Sequence, residues 1–110
     1  MLKFHRDADG DPRAEAEDGW DHLAGWLESD VQGSASLGRK ILAAVDKVAV
    51  GDLDEWERTG NVYTVTLSPE GAEIRLELDE EAEPLHLHLA ELRDALARWI
   101  DFAAAGDQRE

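Results

Sequence analysis

The most constraining feature of this sequence is a pair of segments in which apolar and polar residues alternate, joined by a short turn. "NVYTVTL" (61–67) and "EIRLELD" (73–79) both have the two-residue period of a strand with one buried face. In the connecting "SPEG" (68–71), Pro69 presets the φ of the first central turn position and Gly71 accommodates the exit. We therefore predict an antiparallel β-hairpin. Its buried face would consist of Tyr63, Val65, Leu67, Ile74, Leu76 and Leu78, and its wet face of Thr64, Thr66, Glu73, Arg75 and Glu77.

Two other segments have the helical period instead. In "GSASLGRKILAAVDKVAVG" (33–51), apolar residues recur at Leu37, Ile41, Ala44, Val45 and Val48. Ser34 or Ser36 can cap the start of this helix, and Gly51 can end it. A second helix is predicted from Leu89 onward, where the apolar positions are Leu89, Leu92, Leu96, Trp99, Ile100 and Ala103.

Shorter segments complete the predicted fold. "LKFHR" (2–6) alternates as a strand does, and a partner strand is expected over 13–17. "WDHLAGWLESDV" (20–31) fits a strand or a short helix, and we favour a third strand around Leu23 to Leu27. "EPLHLHL" (83–89) is expected to form a further short strand or an extended segment. The pattern predicts an α+β domain over residues 1–105 with a frayed tail over 106–110. We expect one antiparallel sheet of about five or six strands with two helices packed on one face. The order would be β-β-(β)-α-β-β-(β)-α.

The segment between the first two strands, "RDADGDPR" (6–13), has aspartates at alternate positions, as a calcium-binding loop does. An EF-hand loop requires glycine at its sixth position and a bidentate glutamate at its twelfth. Counted from Asp7, these positions hold Pro12 and Asp18. Gly10 and the aspartates instead suit a tight turn, because glycine accepts positive φ and Asp side chains bond nearby backbone N–H groups. A turn without a metal is the prediction.

Charge limits the classes of partner. The sequence has 26 acidic and 11 basic residues and a formal net charge of −15, which repels nucleic-acid phosphates and anionic membranes. The longest apolar run, "ILAAV" (41–45), is too short to span a bilayer, and there is no cysteine. We expect a cytoplasmic protein that binds neither nucleic acid nor membrane directly. The acidity itself has two explanations: a solvated surface, or a face that recognises a basic partner.

Signals for catalysis and metal binding are weak. The sequence contains no G-x-S-x-G elbow, no phosphate-binding loop and no H-E-x-x-H pair, so no enzyme and no cofactor are predicted. His86 and His88 are the weak metal candidates, because two histidines two apart in a strand share a face. No third ligand is fixed by the sequence, and the simpler alternative is that Leu85, Leu87 and Leu89 face the core and both histidines face water.

Two of the four tryptophans are candidates for partner binding. Trp99 falls on the apolar stripe of the last helix, whereas Trp20 and Trp56 lie in the acidic segments "EDGWDH" and "DEWERTG". Aromatic rings surrounded by acids are typical of contact sites for a basic protein. The competing interpretation stacks Trp56 on Arg58 or Arg6 in a cation-π contact. The predicted partner-binding residues are Trp20, Asp52, Asp54, Glu55, Trp56 and Arg58.

Several of these segments also occur together in a known family. "FHRDADG" (4–10), the tryptophan of "GWLESDV" (25–31), the helix that follows, and "WERTGNVY" (56–63) resemble the YacL-like family of small uncharacterised bacterial proteins. The resemblance covers most of the chain but weakens in the last third, where "LHLHLAELRDALARWI" (85–100) keeps only helical character. It implies a domain of this type and no particular activity.

The sequence therefore favours a non-enzymatic protein that works by binding another protein. The alternative is an acidic inhibitor or immunity protein that imitates nucleic-acid phosphates in the groove of a basic nuclease or DNA-binding protein. A metal-dependent enzyme is the third class, and it depends on His86 and His88 alone.

Overall fold

The computed structural model describes residues 2–17, 19–79 and 81–107, without the side chains of 105–107. The chain runs through β1 (Leu2–Arg6), β2 (Pro12–Ala16), α1 (Asp21–Trp26), a π-helical segment (Leu27–Val31), α2 (Ala35–Ala49), β3 (Trp56–Thr59), β4 (Tyr63–Ser68), β5 (Gly71–Leu76), β6 (Leu85–Leu87) and α3 (Leu89–Asp107). The predicted α+β class is confirmed. Helix α3 includes residues 106 and 107 of the predicted frayed tail. Residues 108–110 of that tail lie outside the described residues.

The predicted single sheet is wrong. In the described residues the strands form two antiparallel sheets, a hairpin of β1 and β2 and a four-stranded sheet in the order β3-β4-β5-β6. Helices α1, α2 and α3 all contact the four-stranded sheet, so three helices replace the predicted two. The hairpin packs on α1 and α3 through side chains. The alternation of apolar and polar residues shows that a segment is a strand, but it does not show which sheet the strand joins.

The predicted hairpin over 61–79 is confirmed as β4 and β5, with Val65 opposite Ile74 and Leu67 opposite Ala72. For two residues of the hairpin, the predicted burial is wrong. Strand β5 ends at Leu76, so Leu78 lies beyond it and is 85% exposed. Thr64 is predicted to face water but is only 3% exposed. Its hydroxyl has hydrogen-bond partners there, since it lies 3.0 Å from the Thr59 hydroxyl and donates to the Glu77 carboxylate.

The predicted third strand, Leu23 to Leu27, is helical: these residues belong to α1 and the start of the π-helical segment. Leu23 and Leu27 are both fully buried, four residues apart, as on one face of a helix. Strand β3 was not predicted, because its sequence "WERT" has one apolar residue and lies at the sheet edge. Short edge strands carry little apolar signal.

The predicted helix over 33–51 is confirmed as α2. The Ser34 hydroxyl accepts a hydrogen bond from the Leu37 N–H at 3.1 Å, and Ile41, Val45 and Val48 are buried. Helix α3 begins with a similar contact, since a Glu91 carboxylate oxygen accepts from the His88 N–H at 2.9 Å. The fully buried core side chains from all layers are Leu23, Leu27, Val31, Ile41, Val45, Val48, Val65, Leu67, Ile74, Leu92, Leu96 and Trp99.

The β1–β2 hairpin is as predicted, and it docks on the far end of the chain. Its turn is held by the Asp7 carboxylate, which accepts from the N–H groups of Asp9 and Asp11 at 3.0 Å each. The Phe4 ring contacts the Trp99 ring edge-on at 5.1 Å between centroids. Arg6 donates to the Phe102 carbonyl at 2.7 Å. None of the helices described is long and apolar enough to cross a membrane.

Candidate functional site

The two predicted contact tryptophans are each half-buried, with their rings against the core. Within the described residues, the Trp56 ring does not have the arginine partner of the competing interpretation: the Arg6 guanidinium lies over the Phe102 ring at 4.7 Å instead, and Arg58 is exposed on β3. Trp56 pairs with Leu67 near the end of β4, whereas Trp20 directly precedes α1, which contacts the beginning of that strand. The two tryptophans therefore lie on different elements, Trp56 on β3 and Trp20 directly before α1.

The acidic part of the predicted site is a loop. Asp52, Asp54 and Glu55 are exposed between α2 and β3, next to Trp56 in sequence. Trp20 lies between β2 and α1, so the six predicted residues come from two separate segments of the chain.

Two other predicted clusters can be placed. The ligand oxygens of Asp7, Asp9 and Asp11 all lie within 4.8 Å of one another, although the Asp7 carboxylate already holds two backbone N–H groups of the turn. His86 is exposed on β6, and His88 is exposed just before α3. Among the described residues, neither histidine belongs to a group of three potential ligands that could hold a metal.

An open groove between β2 and α1 was not predicted from the sequence. One wall is a helical stripe of Asp21, Ala24, Gly25 and Glu28, which recur at intervals of three and four residues. The other wall is the segment 14–17, with sequence "AEAE". The groove has a volume of about 540 Å³. Its middle is lined by small residues, and its rim carries four carboxylates.

Glu28 closes one end of this groove. Its carboxylate accepts a hydrogen bond from the Ala14 N–H at 2.7 Å and lies 3.2 Å from the Arg13 Nε. The contact covers part of the outer edge of β2 and neutralises the Glu28 charge. The other three rim carboxylates, Glu15, Glu17 and Asp21, are exposed and make no ion pair within the described residues.

Tyr63 explains why the groove has a glycine in its wall. A Cβ on Gly25 would lie 2.2 Å from the Tyr63 hydroxyl oxygen and 3.0 Å from its ring, so a side chain at 25 would displace the tyrosine. The pKa of Tyr63 is raised above 10.0, first by burial and then by the negative charges of Asp30, Asp21 and Glu28. The groove therefore has a negative potential that reaches a side chain beneath it.

Asp30 holds the groove's helix to the four-stranded sheet. This carboxylate is 8% exposed and accepts from the N–H groups of Val62 at 3.0 Å and Tyr63 at 2.9 Å. Gly60 packs against it so closely that a Cβ there would lie 2.5 Å from an Asp30 oxygen. Sequence reasoning missed Asp30, although its position three residues after Leu27, on the buried side of a helical stretch, was a signal.

The π-helical turn gives Asp30 its direction. The Gln32 N–H donates to the Leu27 carbonyl at 2.7 Å, five residues back, so this turn holds one residue more than an α-helical turn. It ends at Gln32, which has a φ of 55°. The Gln32 carbonyl accepts from the Trp99 indole N–H at 2.7 Å.

A second cleft, of about 430 Å³, lies at the start of β2, shares Glu28 with the groove and includes Arg6 and Arg13. Both guanidinium groups have partners: Arg6 donates to the carbonyls of Gly10 at 3.0 Å and Phe102 at 2.7 Å, and Arg13 pairs with Glu28. These arginines hold the hairpin in place.

The contact at Asp30 also joins two segments that carry the family resemblance, because Asp30 lies in "GWLESDV" while Gly60, Val62 and Tyr63 lie in "WERTGNVY". A family model for the uncharacterised protein family UPF0231 matches residues 2–92. The chain belongs to this family. The resemblance seen in the sequence is thereby confirmed, and the match extends beyond α2 and the four-stranded sheet into the start of α3. No curated protein and no solved structure gives a significant match to the chain.

Proposed function

We propose that this UPF0231 member is a non-enzymatic protein-binding domain, and that the groove between β2 and α1 receives a basic partner. The observation that carries the proposal is an open groove with small residues in its floor and three exposed carboxylates, Glu15, Glu17 and Asp21, which make no ion pair in the part of the chain that the structure describes. Complementary charge favours a positively charged partner and accelerates its association. The net charge of −15 adds a long-range attraction for a positively charged partner.

The groove supports this function better than the predicted tryptophan surface does. The rings of Trp20 and Trp56 are half-buried against the core and lie on different elements, so only part of each ring is free for a contact. Trp20 nevertheless lies at the end of the groove, since its N–H contacts the Glu17 carbonyl at 3.4 Å and it directly precedes Asp21. An aromatic residue beside acidic groups at the rim suits a protein contact.

The alternative function is an acidic inhibitor or immunity protein that imitates nucleic-acid phosphates. The exposed loop of Asp52, Asp54 and Glu55 favours it, because these carboxylates lie outside the groove and add to a dispersed negative surface. A phosphate mimic and a groove-binding domain differ in one measurable respect. DNA competes with the mimic for the partner's basic site, and that competition depends steeply on salt.

The experiment is a nuclease-treated pull-down from the native host at low and at moderate salt, followed by purification of any stoichiometric partner and measurement of its affinity. Our proposal expects a partner that stays bound at moderate salt and is not displaced by DNA. Displacement by DNA would place the inhibitor function first. Recovery of no partner at either salt concentration, or turnover that depends on one carboxylate or histidine, would contradict protein binding as the function.

A further inference from the structure

We infer that the groove binds an extended lysine- or arginine-bearing segment of the partner, which adds as a strand to the outer edge of β2. This inference rests on the proposed protein-binding function and deepens it. It follows from three features of the groove: the backbone groups at its strand edge, the small side chains in its middle and the charge of its rim.

The strand edge supplies the backbone contacts. In β2, the Ala14 N–H points away from β1, because it donates to Glu28 on the groove side. In an antiparallel pair the backbone groups alternate in direction, so the N–H and C=O of Ala16 point the same way as those of Ala14. Within the described part of the chain, neither Ala16 group has a hydrogen-bond partner. An exposed edge of this kind is a template for an added strand.

The small side chains make room for a backbone. Ala14 and Ala16 on the strand side face Ala24 and Gly25 on the helix side. A Cβ at 25 would point at Tyr63, which does not line the groove, so this part of the helix wall carries no side chain. An extended segment fits this arrangement, since its own N–H and C=O groups can reach Ala16. In a helical segment, the backbone N–H and C=O groups bond to each other, so they cannot bond to Ala16.

The rim charges select the side chains of the added segment. Glu28 is already paired with Arg13, which leaves Glu15 on β2, Glu17 directly after β2 and Asp21 on α1. Alternate side chains of a strand point to opposite faces, so basic residues at every second position would meet carboxylates along one rim. An acidic segment of the same shape would be repelled.

The first test uses a defined probe, the peptide acetyl-Arg-Val-Arg-Val-Arg-Val-amide with a fluorescent label, and measures binding to the full chain by anisotropy at low salt. The groove variant is Glu17→Gln with Asp21→Asn. Its matched control is Asp52→Asn with Asp54→Asn, which removes the same charge from the exposed loop. Loss of two exposed charge pairs corresponds to a peptide affinity that is roughly 2- to 30-fold weaker. We expect that weakening in the groove variant and less than twofold in the control.

The second test isolates the strand edge from the charge. Ala16→Pro removes the outward N–H, and proline is tolerated at a sheet edge. We expect it to weaken peptide binding while the thermal unfolding midpoint stays close to that of the wild type. In the unaltered protein, the peptide should slow hydrogen exchange at the Ala16 amide but not at amides of β6, the edge of the other sheet. This measurement does not depend on any variant folding.

The outcomes separate the inference from the proposed function. Equal weakening in the groove and loop variants would reduce the effect to net charge and overturn strand addition. An unchanged Ala16 exchange rate in the saturated complex would also overturn it. If the natural partner binds the groove variant as tightly as the wild type, protein binding stands and the groove is the wrong surface. Absence of any natural partner would instead contradict the proposed function.

Discussion

Removal of the Asp30 carboxylate should destabilise the fold strongly, because this group is the acceptor for two backbone N–H groups of the β3–β4 connection. The Tyr63 N–H is buried and the Val62 N–H is partly buried. A donor left unsatisfied in a buried position costs about 1–3 kcal/mol, so two such donors, with the Val62 share reduced for exposure, give about 2–4 kcal/mol for Asp30→Ala. Total domain stability is only about 5–15 kcal/mol.

The assay is urea unfolding followed by tryptophan fluorescence, with Asp52→Ala as the matched control. Asp52 is also an aspartate but is exposed, so its removal should change the free energy of unfolding by about 0.5 kcal/mol or less. Asp30→Asn keeps one acceptor oxygen and should lose about half as much as Asp30→Ala. A loss below about 1 kcal/mol in Asp30→Ala would refute the argument that this carboxylate holds the turn.

Gly60 provides an independent check of the same contact. Gly60→Ala places a Cβ at 2.5 Å from the Asp30 oxygen, so it should be destabilising in the wild type and less so beside Asp30→Ala. The difference between the two costs measures their coupling, and contacting residues couple by roughly 0.5–3 kcal/mol. Additive costs would show that the two residues do not interact.

Further predictions concern the π-helical turn, its indole contact and the buried tyrosine. Gln32→Gly should leave stability unchanged or raise it, whereas Gln32→Val should lower it by about 1–3 kcal/mol, since a φ of 55° suits glycine and strains β-branched residues; equal unfolding midpoints would contradict this. Trp99→Phe should cost about 1–3 kcal/mol in urea unfolding, because the Gln32 carbonyl loses its indole donor; an unchanged midpoint would count against that bond. Tyr63 is the single tyrosine of the sequence, so its phenolate absorbance should titrate above pH 10.0 in the folded protein. Because its folded pKa is raised, the associated stability is present below pH 10.0 and is lost as pH rises through the folded pKa; Tyr63→Phe should abolish that loss, and titration at or below pH 10.0 would contradict the burial argument.

The sequence predicted those elements whose apolar pattern is complete within a single segment. Helix α2 and the β4–β5 hairpin follow from local periodicity, cap and turn residues, and both are found where expected. The segment around Leu23 to Leu27 was misassigned because it is short, and Gly25 interrupts it where Tyr63 excludes a side chain. That exclusion comes from a residue far along the chain, which local pattern does not show.

The candidate groove was beyond sequence reasoning for a similar reason. Its two walls, 14–17 and the stripe from Asp21 to Glu28, are unremarkable acidic and small residues until the hairpin packs beside α1. Trp20 and Trp56 are candidates from the sequence because tryptophan is rare and large, but both rings are partly buried against the core. Trp20 lies in an acidic stretch of the sequence, and the fold adds that its N–H contacts the Glu17 carbonyl.

The docking of the β1–β2 hairpin on α3 has a consequence for the order of events during synthesis. Arg6 reaches the Phe102 carbonyl, 96 residues later, and Phe4 packs on Trp99. A nascent chain that ends before α3 can pack this hairpin only on α1 and the π-helical segment, although the β3–β6 sheet is already complete in sequence. The contacts that fix the β1 side of the hairpin therefore form only after translation passes Phe102, and until then one wall of the groove is held from the α1 side alone.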